Sequence, residues 1–187
     1  SLAVELSASR LLGNYFGSSN LVWAVIIGPI LIYLSVGYSI GGRWADRSPN
    51  PGTFFTILLW AALGVGLIPL ASRPILRMAR QAFDQLQTPT MLGAFVSVLL
   101  LFSIPVTLLG TASPFAIRLA LAARDEAGTT AGKIYTISTL GSFLGTFFPV
   151  LLLIPALGTY LTFVTISGIM MAVALVGLWQ TVSLKAV

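Results

Sequence analysis

The chain has 187 residues, of which 57% are hydrophobic and only 8% are charged, and its formal net charge is +5. A soluble domain carries about 25% charged residues, so this composition excludes an ordinary water-soluble protein. Cysteine and histidine are absent, which excludes disulfides, thiol nucleophiles, Cys or His metal sites and a histidine general base. The basic residues are scattered singly between apolar runs, so the positive charge does not indicate a nucleic-acid partner.

Long stretches of the chain carry no charged residue at all, namely 11–42, 48–72, 85–117 and 134–184. A membrane-spanning helix needs about 20 mostly apolar residues, and a charge at the bilayer centre costs a few kcal/mol or more. We therefore predict an all-α fold, a polytopic transmembrane helix bundle that forms one domain over 1–187, with about six spans and an interfacial amphipathic helix. The spans are predicted at 1–12, 21–41, 53–71, 88–110, 131–154 and 160–182.

The first predicted span contains Glu5 and ends near Arg10. The chain starts at Ser1 in apolar sequence without Met, so we expect a processed or incompletely recorded N-terminus. An acid inside a membrane must be paired or neutral, and it is a functional hypothesis by default. Arg10 shares a helical face with Glu5 poorly, so Arg118 is a candidate partner. Glu5, Arg10 and Arg118 form a candidate intramembrane polar site, which is a structural ion pair, a proton or solute site, or an effect of truncation.

Glycines spaced four residues apart occur in two of the predicted spans, as Gly37 with Gly41 and as Gly141 with Gly145. Small residues at this spacing allow the backbone of another transmembrane helix to approach closely. We predict helix packing at all four positions, with the alternative that Gly37 and Gly41 merely ease local packing.

The loop after the second span holds Arg43, Asp46 and Arg47, and prolines and a glycine end the helix there. Asp46 can accept backbone N–H bonds or pair with a basic residue of segment 118–133. Such an ion pair would lock the two cytoplasmic loops together. The alternative is a solvated loop that only sets the topology.

The third span is followed by a predicted amphipathic helix over 74–87, started by Ser72 as a cap and by Pro74. Arg73, Arg77 and Arg80 recur on one helical face. That face is a solvated surface or a docking surface for anionic lipid or a partner.

A cytoplasmic helix is predicted over 114–127, with Ser113 and Pro114 at its start. Arg118 must snorkel or be paired there. The adjacent acids Asp125 and Glu126 chelate a cation poorly, so no metal site is predicted. The long uncharged stretch beyond Ile134 is divided by Pro155 and Gly158 into a hairpin of two spans.

The predicted topology puts more basic residues on one side of the membrane than on the other. Six lie on the side of the C-terminus and four on the opposite side, counted from Arg43, Arg47, Arg118, Arg124, Lys133 and Lys185 against Arg10, Arg73, Arg77 and Arg80. The excess favours a cytoplasmic C-terminus in a bacterial inner membrane.

Four segments carry a resemblance to a known family: ELSASRLLGNYFGSS, GYSIGGRWADR, LLGTASPFAIRLA and AGKIYTISTLGSFLGTFFPVLLLIPALGT. Together they resemble the membrane portion of fused bacterial proteins that join major-facilitator-type helices to a spermidine-synthase-like domain. Gly42, Asp46 and Arg47 match the G-x-x-x-D-R loop of major facilitator transporters. The resemblance implies a soluble aminopropyltransferase-like domain after the helices, but its glycine-rich loop and acids have no counterpart here. Aminopropyl transfer is therefore not carried over to this chain.

No phosphate-binding loop and no serine-nucleophile motif is present in the sequence. We expect a non-enzymatic module without cofactors, which anchors or scaffolds a larger membrane complex. Its expected partners are membrane lipids and either other membrane subunits or a separate synthase-like domain. One alternative is a half-size carrier of a small, polyamine-like solute that works as an oligomer. Another is the membrane subunit of an enzyme whose active site lies on a partner.

Overall fold

The computed structural model describes residues 1–17, 19–85, 90–121 and 127–185, and the chain is helical in nearly all of this part. Six α-helices and one π-helical segment, here called the π segment, follow one another along the chain. They are α1 (Leu2–Phe16), α2 (Asn20–Arg47), α3 (Pro51–Gln85), α4 (Thr90–Leu121), α5 (Ala127–Phe148), the π segment (Pro149–Leu153) and α6 (Ile154–Lys185). The expected all-α fold class is confirmed.

Four stretches are long and apolar enough to cross a membrane: Asn20–Arg47, Pro51–Ala79, Met91–Leu121 and Gly128–Ser183. Each contains a window with a mean hydropathy above 2. Large apolar side chains on these helices also point outward, and Trp60, Leu70 and Trp179 are among the most exposed. Exposed apolar area on this scale requires hydrocarbon rather than water around it. The chain is a multi-pass membrane protein.

Two boundaries that we expected from the sequence are absent. Helix α3 runs without a break through Ser72 and Pro74, and α4 runs through Ser113 and Pro114. Ser72 does not act as an N-cap. Its buried hydroxyl donates a 3.0 Å hydrogen bond to the carbonyl oxygen of Pro69 within the same helix. The predicted amphipathic helix 74–87 is therefore the end of α3 as far as Gln85, and the predicted cytoplasmic helix 114–127 is the end of α4 as far as Leu121. Residues 86–87 and 122–126 lie outside the described part, and Ala127 is the first residue of α5.

Helices α2, α4, α3 and α6 pack side by side in that order. Gly37 of α2 lies against Gly110 of α4. The ring of Phe54 in α3 lies 6.1 Å from that of Phe115 in α4, and Gly66 of α3 lies against Ser167 of α6. Helix α1 crosses this row and shares the main apolar core with it.

Residue pairs at two points along a helix contact give the relative direction of the two helices. Gly64 with Pro105 and Phe54 with Phe115 make α3 and α4 antiparallel. Helix α1 runs parallel to α5 and the π segment, since Ala3 lies beside Gly145 and Arg10, further along α1, shares a groove with Val150. One end of the bundle therefore carries the arginine row of α3, and the other end carries the C-terminal turns of α2 and α4.

The chain reverses direction inside α6 at Gly158, where φ is 79° and ψ is 166°. Glycine occupies this region of backbone space almost exclusively. Because of this break, Gly128–Ser183 is two helical arms rather than one continuous helix. The arms splay apart, and a cavity of about 430 Å³ with wholly apolar walls lies between the π segment, α1 and α6.

Candidate functional site

Glu5 lies in the first turn of α1 and is half-buried. Its Oε1 is buried and has no hydrogen-bond partner among the described residues. The expected partner Arg118 is not beside it, because that side chain forms an ion pair elsewhere. A buried carboxylate oxygen without a donor can accept a hydrogen bond from an added cationic ligand.

Asp46 and Arg118 form an ion pair between the C-terminal ends of α2 and α4. The Arg118 Nε lies 3.2 Å from Asp46 Oδ1, and the two side chains are 42% and 73% exposed. The pair joins the last turn of α2 to the last turn of α4, so Asp46 lies in a helix rather than in the expected loop, and Arg118 is the first residue of the segment 118–133 that was one of the two options considered for Asp46. Arg43 and Arg47 are exposed at the same end.

Glycines lie at the contact between the backbones where α2 and α4 cross. A Cβ added at Gly37 would fall on the carbonyl oxygen of Thr107 and lie 2.8 Å from the Cα of Gly110. A Cβ at Gly41 would lie 2.6 Å from the Cα of Thr111. Both distances are far below van der Waals contact, so the two backbones touch directly at this crossing.

The second glycine pair, Gly141 and Gly145, does not form the close helix packing that we expected. Gly145 lies beside α1, where an added Cβ would meet Ala3 at 3.5 Å, an ordinary contact. Gly141 is exposed, and an added Cβ there would meet nothing within 4 Å in the described part of the chain. The prediction of close packing at Gly141 is therefore not met, because the two arms around Gly158 splay apart instead of pairing.

A groove, here called the Arg10 groove, lies between α1, α2 and the π segment and has a volume of about 390 Å³. Arg10, Gly13 and Asn14 come from α1, Ile26 is one of the residues from α2, and Val150 comes from the π segment. Arg10 was expected in the candidate intramembrane polar site, but no sequence pattern indicated that it borders a cavity. π-helical segments often occur at functional sites, which makes this groove a candidate for ligand binding.

A third cluster lies where α3 passes the end of α1 and the start of the second arm of α6. The hydroxyl oxygens of Tyr15 and Tyr160 are 3.4 Å apart. The Arg73 guanidinium carbon lies 4.9 Å from the centre of the Tyr160 ring, which is a cation–π contact. Arg77 is exposed one turn further along α3, and the side chain of Arg80 lies outside the described part. Sequence reasoning found the arginines but missed both tyrosines, whose pairing spans most of the chain.

Comparisons of this chain with protein-family models, with curated proteins and with solved structures found no match.

Proposed function

We propose that the chain is a non-catalytic membrane module that anchors or scaffolds a larger membrane complex. One observation carries this proposal: every residue of α5 from Tyr135 to Gly141 is exposed. Seven residues cover about two helical turns, so this part of α5 has no buried face among the described residues. A helix of a membrane bundle normally buries one face against its neighbours, and small residues mark that face.

The character of this part of α5 supports a protein partner. The exposed stretch alternates large apolar residues such as Ile137 and Leu140 with the small residues Ser138, Thr139 and Gly141. Thr139 donates its hydroxyl to the carbonyl oxygen of Tyr135 at 2.8 Å, so its polar group is satisfied within the helix. A surface that combines small residues with internally bonded hydroxyls suits close contact with another membrane helix.

The number of membrane spans and their orientation are part of the same proposal. Gly128–Ser183 has 56 residues, which as one helix would measure about 84 Å, far more than the roughly 30 Å hydrocarbon core. Two crossings joined at Gly158 fit this length. With α1 as a further crossing, the alternating helices make six spans, and the basic residues favour a bacterial inner membrane with the C-terminus in the cytoplasm.

Site-specific cross-linking tests the scaffold proposal, and the absence of cysteine from the chain makes every introduced cysteine unique. We expect Ser138→Cys on α5 to form one adduct of defined mass in native membranes, identifiable by mass spectrometry as a membrane subunit or a synthase-like protein. Leu67→Cys is the matched control, because Leu67 is 60% exposed on α3. Equally weak cross-linking at Ser138→Cys and Leu67→Cys would contradict a partner on α5.

A second candidate function rests on Glu5. Its buried Oε1, which lacks a hydrogen-bond partner among the described residues, suits binding of an ammonium group, as in a small-solute carrier that works as an oligomer. The test is uptake of labelled putrescine into proteoliposomes. Glu5→Gln should abolish uptake, while Asp46→Asn at the ion pair should preserve it. Absence of uptake by the unmodified protein, or unchanged uptake by Glu5→Gln, would exclude this function.

A further inference from the structure

The Arg10 groove combines an apolar wall with a positive charge. The apolar part includes Leu6 of α1, Ile26 of α2 and Ile154 at the start of α6. Arg10 and Asn14 stand one helical turn apart on α1, so both side chains border the groove on the same face. Its volume of about 390 Å³ lies within the range of small-molecule sites, about 300–1,000 Å³.

Arg10 brings a charge into this groove that the described residues do not neutralise. None of their carboxylates lies within 4.0 Å of its guanidinium, and the described ion pair Asp46–Arg118 occupies the opposite end of the bundle. Arginine stays charged inside proteins. An arginine within a membrane-spanning region is stabilised by pairing or by reaching the headgroup layer. Arg10 lies about 9 Å along the helix axis from Phe16, the last residue of α1. Its long side chain therefore reaches the headgroup layer beyond that end of the helix.

The groove also opens onto the surface that faces hydrocarbon. Trp23 borders it and is 40% exposed, and Val150 of the π segment is 42% exposed. Tryptophan is enriched at the boundary between hydrocarbon and headgroups. A molecule in this groove would therefore be continuous with the surrounding bilayer, with a polar part beside Arg10 and an apolar part against Ile26 and Ile154.

From the charge, the apolar walls and the opening we infer that the Arg10 groove binds an anionic phospholipid. The lipid phosphate accepts hydrogen bonds from the Arg10 guanidinium and the Asn14 amide, and one acyl chain lies along the α2 and π-segment walls. The π segment shapes the site by directing Val150 toward α1. This inference is independent of the proposed scaffold function, because it concerns a different face of the bundle from the exposed part of α5.

Native mass spectrometry of the full chain in detergent tests the inference, with dioleoylphosphatidylglycerol and dioleoylphosphatidylcholine as probes. Arg10→Gln removes the charge. Gly13→Leu fills the groove, since an added Cβ at Gly13 meets nothing within 4 Å and the longer side chain extends into the open space. The controls are Arg43→Gln, an exposed arginine at the other end, and Gly168→Leu, an exposed glycine of α6 with equally open surroundings.

We expect the unmodified protein to retain phosphatidylglycerol in preference to phosphatidylcholine. Arg10→Gln should lower phosphatidylglycerol retention about tenfold, the effect of losing one charge-assisted hydrogen bond. Gly13→Leu should also lower it, because its side chain occupies the groove, while both controls keep it. Equal retention of the two lipids, or equal losses in groove and control variants, would overturn the inference. Displacement of the lipid by millimolar inorganic phosphate would also overturn it, since the acyl chain would then contribute nothing. Melting curves of all variants verify that each protein is folded.

Discussion

Asp46 and Arg118 connect the C-terminal turns of two parallel helices through a 3.2 Å contact between Oδ1 and Nε. Only a few turns away, Gly37 and Gly41 bring the same two helices into backbone contact. The ion pair therefore adds a polar contact at one end of a helix interface that is formed by glycine packing. Because both charged groups are substantially exposed, the pair adds orientation to this interface more than stability.

The Asp46–Arg118 pair should contribute a coupling free energy of about 0.2–1 kcal/mol, the range for exposed ion pairs. A double-mutant cycle with Asp46→Asn and Arg118→Gln, followed by thermal unfolding in detergent, measures this coupling. Added salt should reduce the coupling through screening. The control cycle replaces Arg118→Gln with Arg77→Gln, an exposed arginine at the other end of the bundle, and should give no coupling. Equal coupling in both cycles would disprove a specific pair.

Gly37→Ala should destabilise the bundle by about 1–3 kcal/mol, because the new methyl group overpacks the crossing and forces α4 away from α2. Gly28→Ala in the same helix is the matched control, since an added Cβ there meets nothing within 4 Å. It should be neutral or raise stability by up to about 1 kcal/mol, owing to the better helix propensity of alanine. Thermal unfolding of both variants in one detergent makes the comparison. A Gly28→Ala variant as unstable as Gly37→Ala would rule out the crossing as the cause.

The sequence predicted the helical class, the apolar segments and the region of the chain in which Asp46 finds its partner. These features depend on composition and on the position of charges relative to long apolar runs, which act locally. The tight crossing at Gly37 was also visible as a spacing of small residues. The identical spacing at Gly141 did not produce a close contact, because the spacing permits helix approach but does not supply the opposing helix.

The remaining features depend on contacts between distant parts of the chain. Ser72 and Pro74 have the sequence pattern of a helix start, yet tertiary packing keeps α3 continuous and the Ser72 hydroxyl bonds within the helix. The Arg10 groove needs α1, α2 and the π segment together, and no local pattern indicates that these three elements meet. Candidate binding sites of this kind become visible only when the helices are placed in space.

Ser167→Ala should remove a hydrogen bond between two helices. The Ser167 hydroxyl of α6 donates to the carbonyl oxygen of Ala62 in α3 at 2.6 Å and is buried. Such bonds between membrane helices contribute about 0.6 kcal/mol on average and up to about 1.7 kcal/mol. Thr165→Ala is the control, because that exposed hydroxyl bonds Leu161 of its own helix. Thermal unfolding should show a loss only for Ser167→Ala, and equal losses would mean that the interhelical bond contributes nothing.

Gly158→Ala should destabilise the reversal between the two arms, because alanine cannot adopt φ 79° with ψ 166° without strain. The expected cost is about 1–3 kcal/mol. Gly168→Ala, in the second arm with open space around its Cα, is the control and should be neutral or slightly stabilising.

The relative position of the two arms can be measured by cross-linking, independently of stability. The side chains of Leu153 and Ile166 border the same apolar cavity, so cysteines at these two positions should be linked by a flexible bifunctional reagent. Gly158→Ala should reduce that linking, since an arm that continues as a helix carries Ile166 away from the π segment. Unchanged linking together with an unchanged melting temperature would mean that the reversal does not depend on glycine.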